Sequence, residues 1–389
     1  MEANIIDDPW DGGDQRANIP LFRVAMSTGA AAAAAEVLAS GYIGQGPRVE
    51  VFEQRLQERL GTPHVATVNS GTSALHLALH LAARDGDGGG EVVTTPLTCT
   101  ATNWPILANG LSLRWADVDP ATCNIDVEDV ARKITPATTA VMVVHWGGYP
   151  VDLDGLNRVL DDAEKANGRR PVVIEDCAHA WGATYKGKPV GSHGNYAAFS
   201  FQAIKHLTAG DGGALSLPDQ DSYARAKLLR WYGIDRESER ADFRCEADIA
   251  EWGYKFHMND INASIGLANL DIVDTVVSRH RSNAAYFDKA LDNVDGVELL
   301  ERNDDRESSF WLYTMMVDRR DDFMRKLAGA GIAVSRVHER NDLHTCVAQY
   351  RSSLPNLEHV VSRMICIPVG WWVTEEGRGR IVDTIQSGW

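Results

Sequence analysis

The run PVVIED, residues 171–176, is apolar until it ends in two adjacent carboxylates. Three similar runs lie on either side of it in the chain: EVVTTP (91–96), AVMVVHW (140–146) and YAAFSF (196–201). Each is short, rich in β-branched or aromatic residues and mostly unbroken, which is typical of parallel strands that are covered on both faces. The four runs therefore predict the central strands of an α/β sheet.

Helical segments separate these runs. SALHLALHLAAR (73–84) consists of strong helix formers and is almost continuously apolar, which predicts a buried helix. VDLDGLNRVLDDAEKANG (151–168) predicts another helix, which ends at Gly168. This alternation of strands and helices predicts a doubly wound α/β domain over about residues 20–250.

The chain changes in character after about residue 255. A helix is predicted to begin near Asp260, a long charged helix follows it, and shorter strands and helices complete the chain. This pattern predicts a second, smaller domain. We therefore divide the chain into a disordered N-terminal arm (1–18), a large domain (19–255) and a small C-terminal domain (256–389).

Composition excludes several classes of protein. Of 389 residues, 44% are hydrophobic and 24% charged, which is typical of a folded protein. The formal net charge of −16 argues against nucleic acid or an anionic membrane as a partner. Six cysteines without a CxxC pair fit reduced thiols better than disulfides or a metal site. The chain has neither a signal peptide at its acidic start nor an apolar run of membrane-spanning length, so we expect a cytoplasmic protein.

The segment VNSGTSALHL (68–77) predicts an anion site. In a parallel sheet, ligands bind beyond the carboxyl ends of the strands, and here a short polar turn opens directly into a helix. The free N–H groups and the dipole at a helix N-terminus suit a phosphate, and Gly71 lets the backbone come close to it. A plain capped helix explains the segment equally well.

Asp176 and Lys205 follow neighbouring strands of the predicted sheet. Asp176 ends an apolar strand, and a buried carboxylate there needs a partner such as the protonated ring nitrogen of a cofactor, a salt bridge or a helix cap. Lys205 lies 29 residues later, just beyond the strand that ends near Ser200. A lysine at this position can form a Schiff base if desolvation lowers its pKa, although a lone lysine after a strand is usually solvated.

A phosphate site, an acid for a ring nitrogen and a Schiff-base lysine are the protein's part of pyridoxal phosphate (PLP) chemistry. The motifs NSGTSALHLAL, VDLDGL, VVIEDCAHAWGA, AAFSFQAIKHLTAGDGGAL and GYKFHMNDINASIGLANL, in that order, closely resemble the DegT/DnrJ/EryC1/StrS aminotransferases. The resemblance covers about residue 19 to the end of the chain. It implies an aspartate-aminotransferase-like (fold-type I) large domain with a mostly parallel sheet and a smaller α+β C-terminal domain. It also implies a homodimer with active sites at the interface.

The resemblance assigns roles to five residues. Lys205 looks like the lysine that forms the Schiff base and later moves a proton between the substrate Cα and the cofactor C4′. Asp176 resembles the acid that pairs with the pyridinium nitrogen. Gly71 and Thr72 match the backbone cradle for the phosphate, and Ser200 matches the hydroxyl that binds it.

Three positions depart from the family pattern. His179 stands where many relatives have glutamine or glutamate, and would donate a hydrogen bond to the phenolic oxygen of the cofactor. Cys99 stands where many relatives cover the cofactor face with an aromatic ring. Lys255 replaces the asparagine that reaches across the dimer to the phosphate, and would strengthen that contact electrostatically. Neither Cys99 nor Lys255 removes a group that the chemistry requires, so we interpret these two departures as marks of a subfamily with a different substrate shape.

Two segments provide candidate substrate contacts. GYIGQGPRVEVFEQRL (41–56) resembles the family's loop that enters the active site, and SRVHERNDLH (335–344) concentrates basic and polar side chains on an acidic protein. A surface charge patch explains the second segment equally well. The candidate contacts are Tyr42, Gln45, Arg336, His338 and Asn341.

The leading hypothesis is transfer of an amino group from L-glutamate to a nucleotide-linked 4-keto-6-deoxy or 3-keto sugar, with pyridoxamine phosphate as the intermediate form of the cofactor. A ketocyclitol or a keto-sugar acid without a nucleotide is an alternative substrate. A sugar dehydratase of the same fold would have histidine in place of Lys205. A non-catalytic relative would have no need of the pair formed by Asp176 and Lys205.

Overall fold

A seven-stranded sheet forms the centre of the structure, a computed structural model that describes residues 18–83, 89–236, 242, 245–246 and 248–389. The arm expected over residues 1–18 lies, apart from residue 18, outside the described residues. The described residues form strands in this sheet and in two smaller three-stranded sheets. In chain order the strands are β1 (Val65–Val68), β2 (Glu91–Thr94), β3 (Ser112–Trp115), β4 (Thr138–Val144), β5 (Val172–Asp176), β6 (Thr184–Tyr185), β7 (Lys188–Pro189), β8 (Tyr196–Ser200), β9 (Gly213–Ser216), β10 (Val297–Leu299), β11 (Arg306–Glu307), β12 (Tyr313–Val317) and β13 (Met364–Ile367).

Helices cover both faces of this sheet and complete the second part of the chain. They are α1 (Ala30–Ser40), α2 (Pro47–Leu60), α3 (Gly71–Ala82), α4 (Thr100–Ala108), α5 (Val127–Lys133), α6 (Leu153–Asn167), α7 (Gln220–Leu229), α8 (Asp260–Leu270), α9 (Val273–Leu291), α10 (Arg320–Gly329), α11 (Pro355–Arg363) and α12 (Glu375–Gln386). Among the described residues, none of these helices has both the length and the apolar character that a membrane crossing requires.

The large sheet has the strand order β1-β9-β8-β5-β4-β2-β3. Its four central neighbours β8, β5, β4 and β2 are mutually parallel, and they are the four apolar runs of the sequence. β9 alone runs antiparallel, to β8 on one side and β1 on the other. The prediction of a mostly parallel sheet is therefore confirmed, although the sequence analysis did not predict the edge strands β1 and β3 or the reversed strand β9.

Alternate residues of the central strands enter different cores. On one face, Met142 and Ile174 pack with the buried leucines of α3, including Leu77. On the other face, Val141 and Val173 pack against α6. Both faces are thus covered by helices, which explains why these strands read as continuous apolar runs.

A three-stranded antiparallel sheet, β10-β12-β13, forms the core of the smaller part of the chain. Phe287 of α9, Phe323 of α10 and Ile381 of α12 pack with its buried strand residues. Ile19 joins the same core through a bridge to Ile332, with Ile19 N donating to Gly331 O at 2.8 Å. This arrangement confirms the smaller α+β domain.

The boundary between the two domains stays a prediction, and packing favours a position later than residue 256. Ala263 and Leu270 of α8 are buried with Phe52 of α2, in the core beside the large sheet. Val277, in the first half of α9, belongs to this same core, whereas Phe287 in the second half packs with the small sheet. The change from one core to the other therefore occurs within α9.

A buried ion pair fixes the elements that lead into α3. Arg230, which follows α7, and Glu53 of α2 are 3% and 8% exposed, and their Nη1 and Oε1 atoms are in direct contact. The Thr67 N–H and hydroxyl of β1 both donate to the same Oε1 at 2.8 Å, and Arg230 Nη1 donates to Thr67 O at 2.8 Å. These bonds connect α2, β1 and α7.

We expect Arg230→Met to lower the free energy of unfolding by about 3–5 kcal/mol, because the substitution leaves the Glu53 carboxylate buried without its cation. Arg59→Met removes an exposed pair with Asp274, 2.6 Å between Nη1 and Oδ2, and should cost about 1 kcal/mol or less. Urea denaturation of the two variants measures the difference. Equal losses would contradict this account of the buried pair.

Candidate active site

The carboxyl ends of β5 and β8 and the starts of α3 and α4 meet at one edge of the sheet. Asp176 ends β5, where it pairs with Ala198 of the parallel strand β8. Ser200 ends β8, and Lys205 follows it directly in the next turn. The sheet thus brings Asp176 and Lys205 to one place, as their positions after neighbouring strands predicted.

Asp176 is the carboxylate that faces this site. It is 5% exposed; its Oδ2 accepts from Thr102 Oγ1 at 2.7 Å and its Oδ1 from Ala178 N at 3.0 Å. Burial raises the pKa of Asp176, while these two hydrogen bonds and the Lys205 ammonium oppose that rise. The carboxylate is therefore held in a fixed orientation by donors that favour its ionised form.

Glu175 points to the opposite face, as successive strand residues do. Its Oε2 accepts from His145 Nε2 at 2.9 Å and its Oε1 from Asn195 Nδ2 at 2.7 Å. Burial raises the pKa of Glu175, but the hydrogen bonds from His145 and Asn195 outweigh it and the pKa is lowered. His145 Nδ1 accepts from Val151 N at 3.1 Å, so the imidazole proton is on Nε2. Although His145, Glu175 and Cys177 offer ligand atoms within 4.8 Å, the acid and the imidazole satisfy each other.

Lys205 is desolvated and lies over an aromatic ring. Burial lowers the pKa of Lys205 to about 8, with the Asp176 carboxylate and Cys99 opposing that shift. Its Nζ is 3.5 Å from the centroid of the Trp311 ring, and Trp311 Nε1 donates to Ile204 O at 2.9 Å. Trp311 thus contacts both the side chain of the lysine and the peptide group that precedes it, a relationship that the sequence analysis missed.

Two neutral histidines line the site beside Trp311. The His179 ring stacks on Trp311 with centroids 3.9 Å apart and an interplanar angle of 19°, and His338 lies parallel to His179 at 5.9 Å. Burial, and to a lesser extent the charge of Lys205, lowers the pKa of His179 well below its usual range and that of His338 to about 4. His179 Nδ1 and His338 Nε2 are buried and have no hydrogen-bond partner among the residues described. Each is available to a ligand.

The start of α3 is pressed against the end of β8. A Cβ on Gly71 would lie 2.8 Å from the Cβ of Ser200, and a Cβ on Gly213 would lie 2.6 Å from the carbonyl carbon of Ser70. Ser70 caps the helix by accepting from Ser73 N at 3.0 Å. Because the first N–H groups of a helix have no intrahelical partner, those around Gly71 and Thr72 can serve an anion beside the Ser200 hydroxyl.

Three of the predicted residues lie apart from Lys205 within this chain. Lys255 is exposed, and its carbonyl accepts from Asn69 Nδ2 at 3.2 Å, close to the start of α3. Tyr42 is 57% exposed, and with Gln45 it lines a separate cavity of about 1180 Å³ between α1, α2, α7 and the segment 231–236. The large cavity therefore does not contain the lysine.

The segment 335–344 is split between the site and the scaffold. His338 reaches the Trp311 and His179 rings, whereas Arg336 pairs with Glu339 at 2.9 Å. Asn341 is wholly buried; its Oδ1 accepts from Asn103 Nδ2 at 2.9 Å and its Nδ2 donates to Thr98 O at 2.8 Å. The prediction that Asn341 contacts substrate is therefore replaced by a structural role, since both atoms of its amide already bind within the chain.

Comparison with known proteins identifies the family. The model of the DegT/DnrJ/EryC1/StrS aminotransferase family matches residues 25–386. The chain belongs to this family. Its members are PLP-dependent sugar aminotransferases, so the enzyme is a transaminase of fold-type I, as the sequence motifs indicated.

Solved structures of similar proteins have the same fold. The sugar aminotransferase CalS13 from Micromonospora echinospora is 55% identical, with a TM-score of 0.92 over 95% of this chain and 100% of that one. AtS13 from Actinomadura melliaura is 57% identical, with a TM-score of 0.93 over 96% and 99%. Spr1654 from Streptococcus pneumoniae, in its PLP-form, is 27% identical, with a TM-score of 0.85 over 95% and 98%.

In the cofactor-free protein we expect acylation of Lys205 to follow a titration with a midpoint at about pH 8, because burial disfavours the ammonium. Asp176→Asn should move that midpoint to lower pH, since it removes the charge that stabilises the ammonium. Mass spectrometry of the labelled peptide across a pH series measures both midpoints. The exposed α6 variant Asp162→Asn is the control and should leave the midpoint in place. A wild-type midpoint near the ordinary lysine value of about 10.4 would refute the desolvation argument.

Proposed function

We propose that this enzyme binds pyridoxal phosphate through Asp176, Lys205 and the start of α3, and transfers the amino group of L-glutamate to a keto-sugar. The observation that carries the proposal is the meeting of a buried, hydrogen-bonded carboxylate and a desolvated lysine at one sheet edge. The residues fit the cofactor. A Cβ at Gly71 would collide with Ser200, so the glycine leaves room at the helix start for the phosphate. The His179 Nδ1 atom is buried without a partner in the described chain.

The cofactor, when bound, supplies a carbonyl carbon for imine chemistry and a ring that withdraws electrons from the substrate Cα. Asp176 would hold a proton on the ring nitrogen, because its carboxylate is fixed by Thr102 and Ala178 and has no competing cation in direct contact among the described residues. A protonated ring nitrogen is what makes the ring an effective acceptor of electrons. The acid therefore acts through charge and orientation.

Lys205 would act as nucleophile and then as proton carrier. With a pKa of about 8, its amine reaches the neutral, reactive form about two pH units below an ordinary lysine. A base whose pKa lies near the working pH both accepts and returns a proton efficiently. Trp311 keeps the amine at the site through its ring face and its bond to the Ile204 carbonyl.

The histidines and Cys99 would shape the rest of the cofactor site. We assign His179 to the phenolic oxygen of the cofactor, because its ring is neutral and its Nδ1 is unpaired in the described chain. A neutral ring at this place adds no positive charge that would repel the proton on the ring nitrogen. Cys99, at the N-cap of α4, leaves more room over the cofactor face than an aromatic ring would.

We assign the substrate as a nucleotide-linked keto-sugar of amino-deoxysugar biosynthesis. The leading candidates are 4-keto-6-deoxy and 3-keto sugars. The similarity to CalS13, a sugar aminotransferase, supports the sugar. On a chain with a net charge of −16, a diphosphate needs local cations, and Arg336 stands on the segment that also carries His338. A ketocyclitol or a keto-sugar acid without a nucleotide remains the alternative.

A homodimer with shared sites accounts for the predicted residues that lie apart from Lys205. Tyr42, Gln45 and Lys255 do not line the space around Lys205 in their own chain, but each lies at an accessible surface or cavity. We propose that they complete the site of a second copy, with Lys255 directed to the cofactor phosphate. A dehydratase is disfavoured because Lys205 is present, while the neighbouring His206 is buried with its ring 4.5 Å from His280.

With L-glutamate and a panel of TDP-, GDP- and UDP-linked keto-sugars, we expect one sugar to be aminated, as identified by mass spectrometry and NMR of the product. Lys205→Ala should lower turnover on the order of 10³-fold or more, because it removes both the nucleophile and the proton carrier. Lys326→Ala, on the exposed face of α10, should leave turnover unchanged. Full activity of the Lys205 variant would refute the mechanism.

Gly71→Ala should weaken binding of pyridoxal phosphate by tenfold or more, in line with about 1.4 kcal/mol or more of steric cost at the helix start. It should leave the binding of pyridoxal, which has no phosphate, nearly unchanged. Fluorescence titration of the cofactor-free protein gives both constants. Gly379→Ala adds a methyl group in open space on α12 and is the matched control. Equal weakening for both ligands would show that α3 does not cradle the phosphate.

A further inference from the structure

Thr102 is a buried hydrogen-bond partner of Asp176. The residue is wholly buried in the first turn of α4, and its hydroxyl is 2.7 Å from Asp176 Oδ2. The Thr102 Oγ1 atom is also 2.7 Å from Thr98 Oγ1, and Thr98 is 1% exposed. Two buried hydroxyls and one carboxylate oxygen therefore form a continuous line of hydrogen bonds.

The direction of these bonds follows from the donor inventory. An ionised carboxylate can only accept, so the single proton of the Thr102 hydroxyl is committed to Asp176. The proton between the two threonines must then come from Thr98. Donation by Thr98 polarises the Thr102 hydroxyl and strengthens its bond to the carboxylate.

The small domain holds this line of bonds in place. Asn341 Nδ2 donates to the Thr98 carbonyl at 2.8 Å, and its Oδ1 accepts from Asn103, the residue after Thr102, at 2.9 Å. The buried Asn341 side chain therefore hydrogen-bonds to residues before and within the first turn of α4. The rotamers of Thr98 and Thr102 have little freedom as a result.

We propose that Thr102, oriented by Thr98, is a positioning residue that keeps the Asp176 carboxylate ionised and aimed at the ring nitrogen of the cofactor. The inference rests on the proposed function, because it takes Asp176 as the partner of that nitrogen. Burial alone would favour the protonated acid, and the hydroxyl of Thr102 is the strongest of the groups that oppose this tendency. Without that hydroxyl, only the Ala178 N–H and the charge of Lys205 would oppose protonation of the acid, and its Oδ2 atom would lose the bond that orients it.

The test compares two ligands on the cofactor-free protein: pyridoxal phosphate and its 1-deaza analogue, in which carbon replaces the ring nitrogen. The wild-type enzyme should prefer the natural cofactor, since only that ligand can pair with Asp176. Thr102→Val should weaken binding of pyridoxal phosphate by about 10- to 100-fold, the range for a hydrogen bond to a charged group. Its affinity for the deaza analogue should change by less than about twofold.

The matched variants separate positioning from simple packing. Thr102→Ser keeps the hydroxyl and should restore most of the preference, and Thr98→Val should lose a smaller part of it. Thr139→Val is the control, because Thr139 is a buried threonine of β4 whose hydroxyl has no partner among the described residues. The denaturation midpoint of each cofactor-free variant reports whether it is folded.

Equal weakening of both ligands in Thr102→Val would overturn the inference, because a structural role affects them alike. An unchanged preference would also overturn it, while leaving the proposed function standing. If the wild-type enzyme itself bound both ligands equally, the pairing of Asp176 with the ring nitrogen would fail, and the inference would fail with it.

Discussion

A buried acid and a partly buried, desolvated amine at the same edge of one sheet are the constraint on which the site depends. Desolvation favours the neutral form of each, so it raises the pKa of Asp176 and lowers that of Lys205. The two groups differ in their neighbours. Asp176 accepts two hydrogen bonds that oppose the effect, whereas Lys205 is opposed only by the charges of Asp176 and Cys99, which leave its pKa at about 8. One environment thereby keeps a carboxylate charged and leaves an amine close to its reactive form.

The backbone makes this environment possible. Parallel pairing of β5 with β8 sets the strand ends side by side, and the helix that follows β1 then closes on them without an intervening side chain. Gly71 and Gly213 are the positions where any Cβ would force α3 away from Ser200 and from the reversed strand β9. The chemistry at the sheet edge therefore requires two glycines as much as it requires the polar groups.

Sequence patterns predicted the parts of the site that are local. Asp176, Ser200 and Gly71 each stand where a strand ends or a helix begins, and unbroken apolar runs make those positions visible without a structure. Their assignments to the cofactor remain predictions. Trp311 and Thr102 were missed because they reach the site from distant parts of the chain and carry no local signal.

Side-chain type alone also misled the analysis at one position. Asn341 and His338 lie on the same short segment, and nothing in the sequence distinguishes a side chain that faces the site from one that ties two segments together. Only the bonds to Asn103 and Thr98 reveal the difference. The sequence does not mark the domain division for a related reason, since a continuous helix has no turn where it leaves one core for another.

That continuous helix couples the two halves of the molecule mechanically. α9 has 19 residues, a length of about 28 Å, with its first turns beneath the large sheet and its last turns against the small one. A helix whose two ends are each buried in a core resists bending in its middle. A displacement of the small sheet relative to the large one would therefore have to bend α9 or pull one of its ends out of a core, which favours a fixed separation of His338 from Lys205.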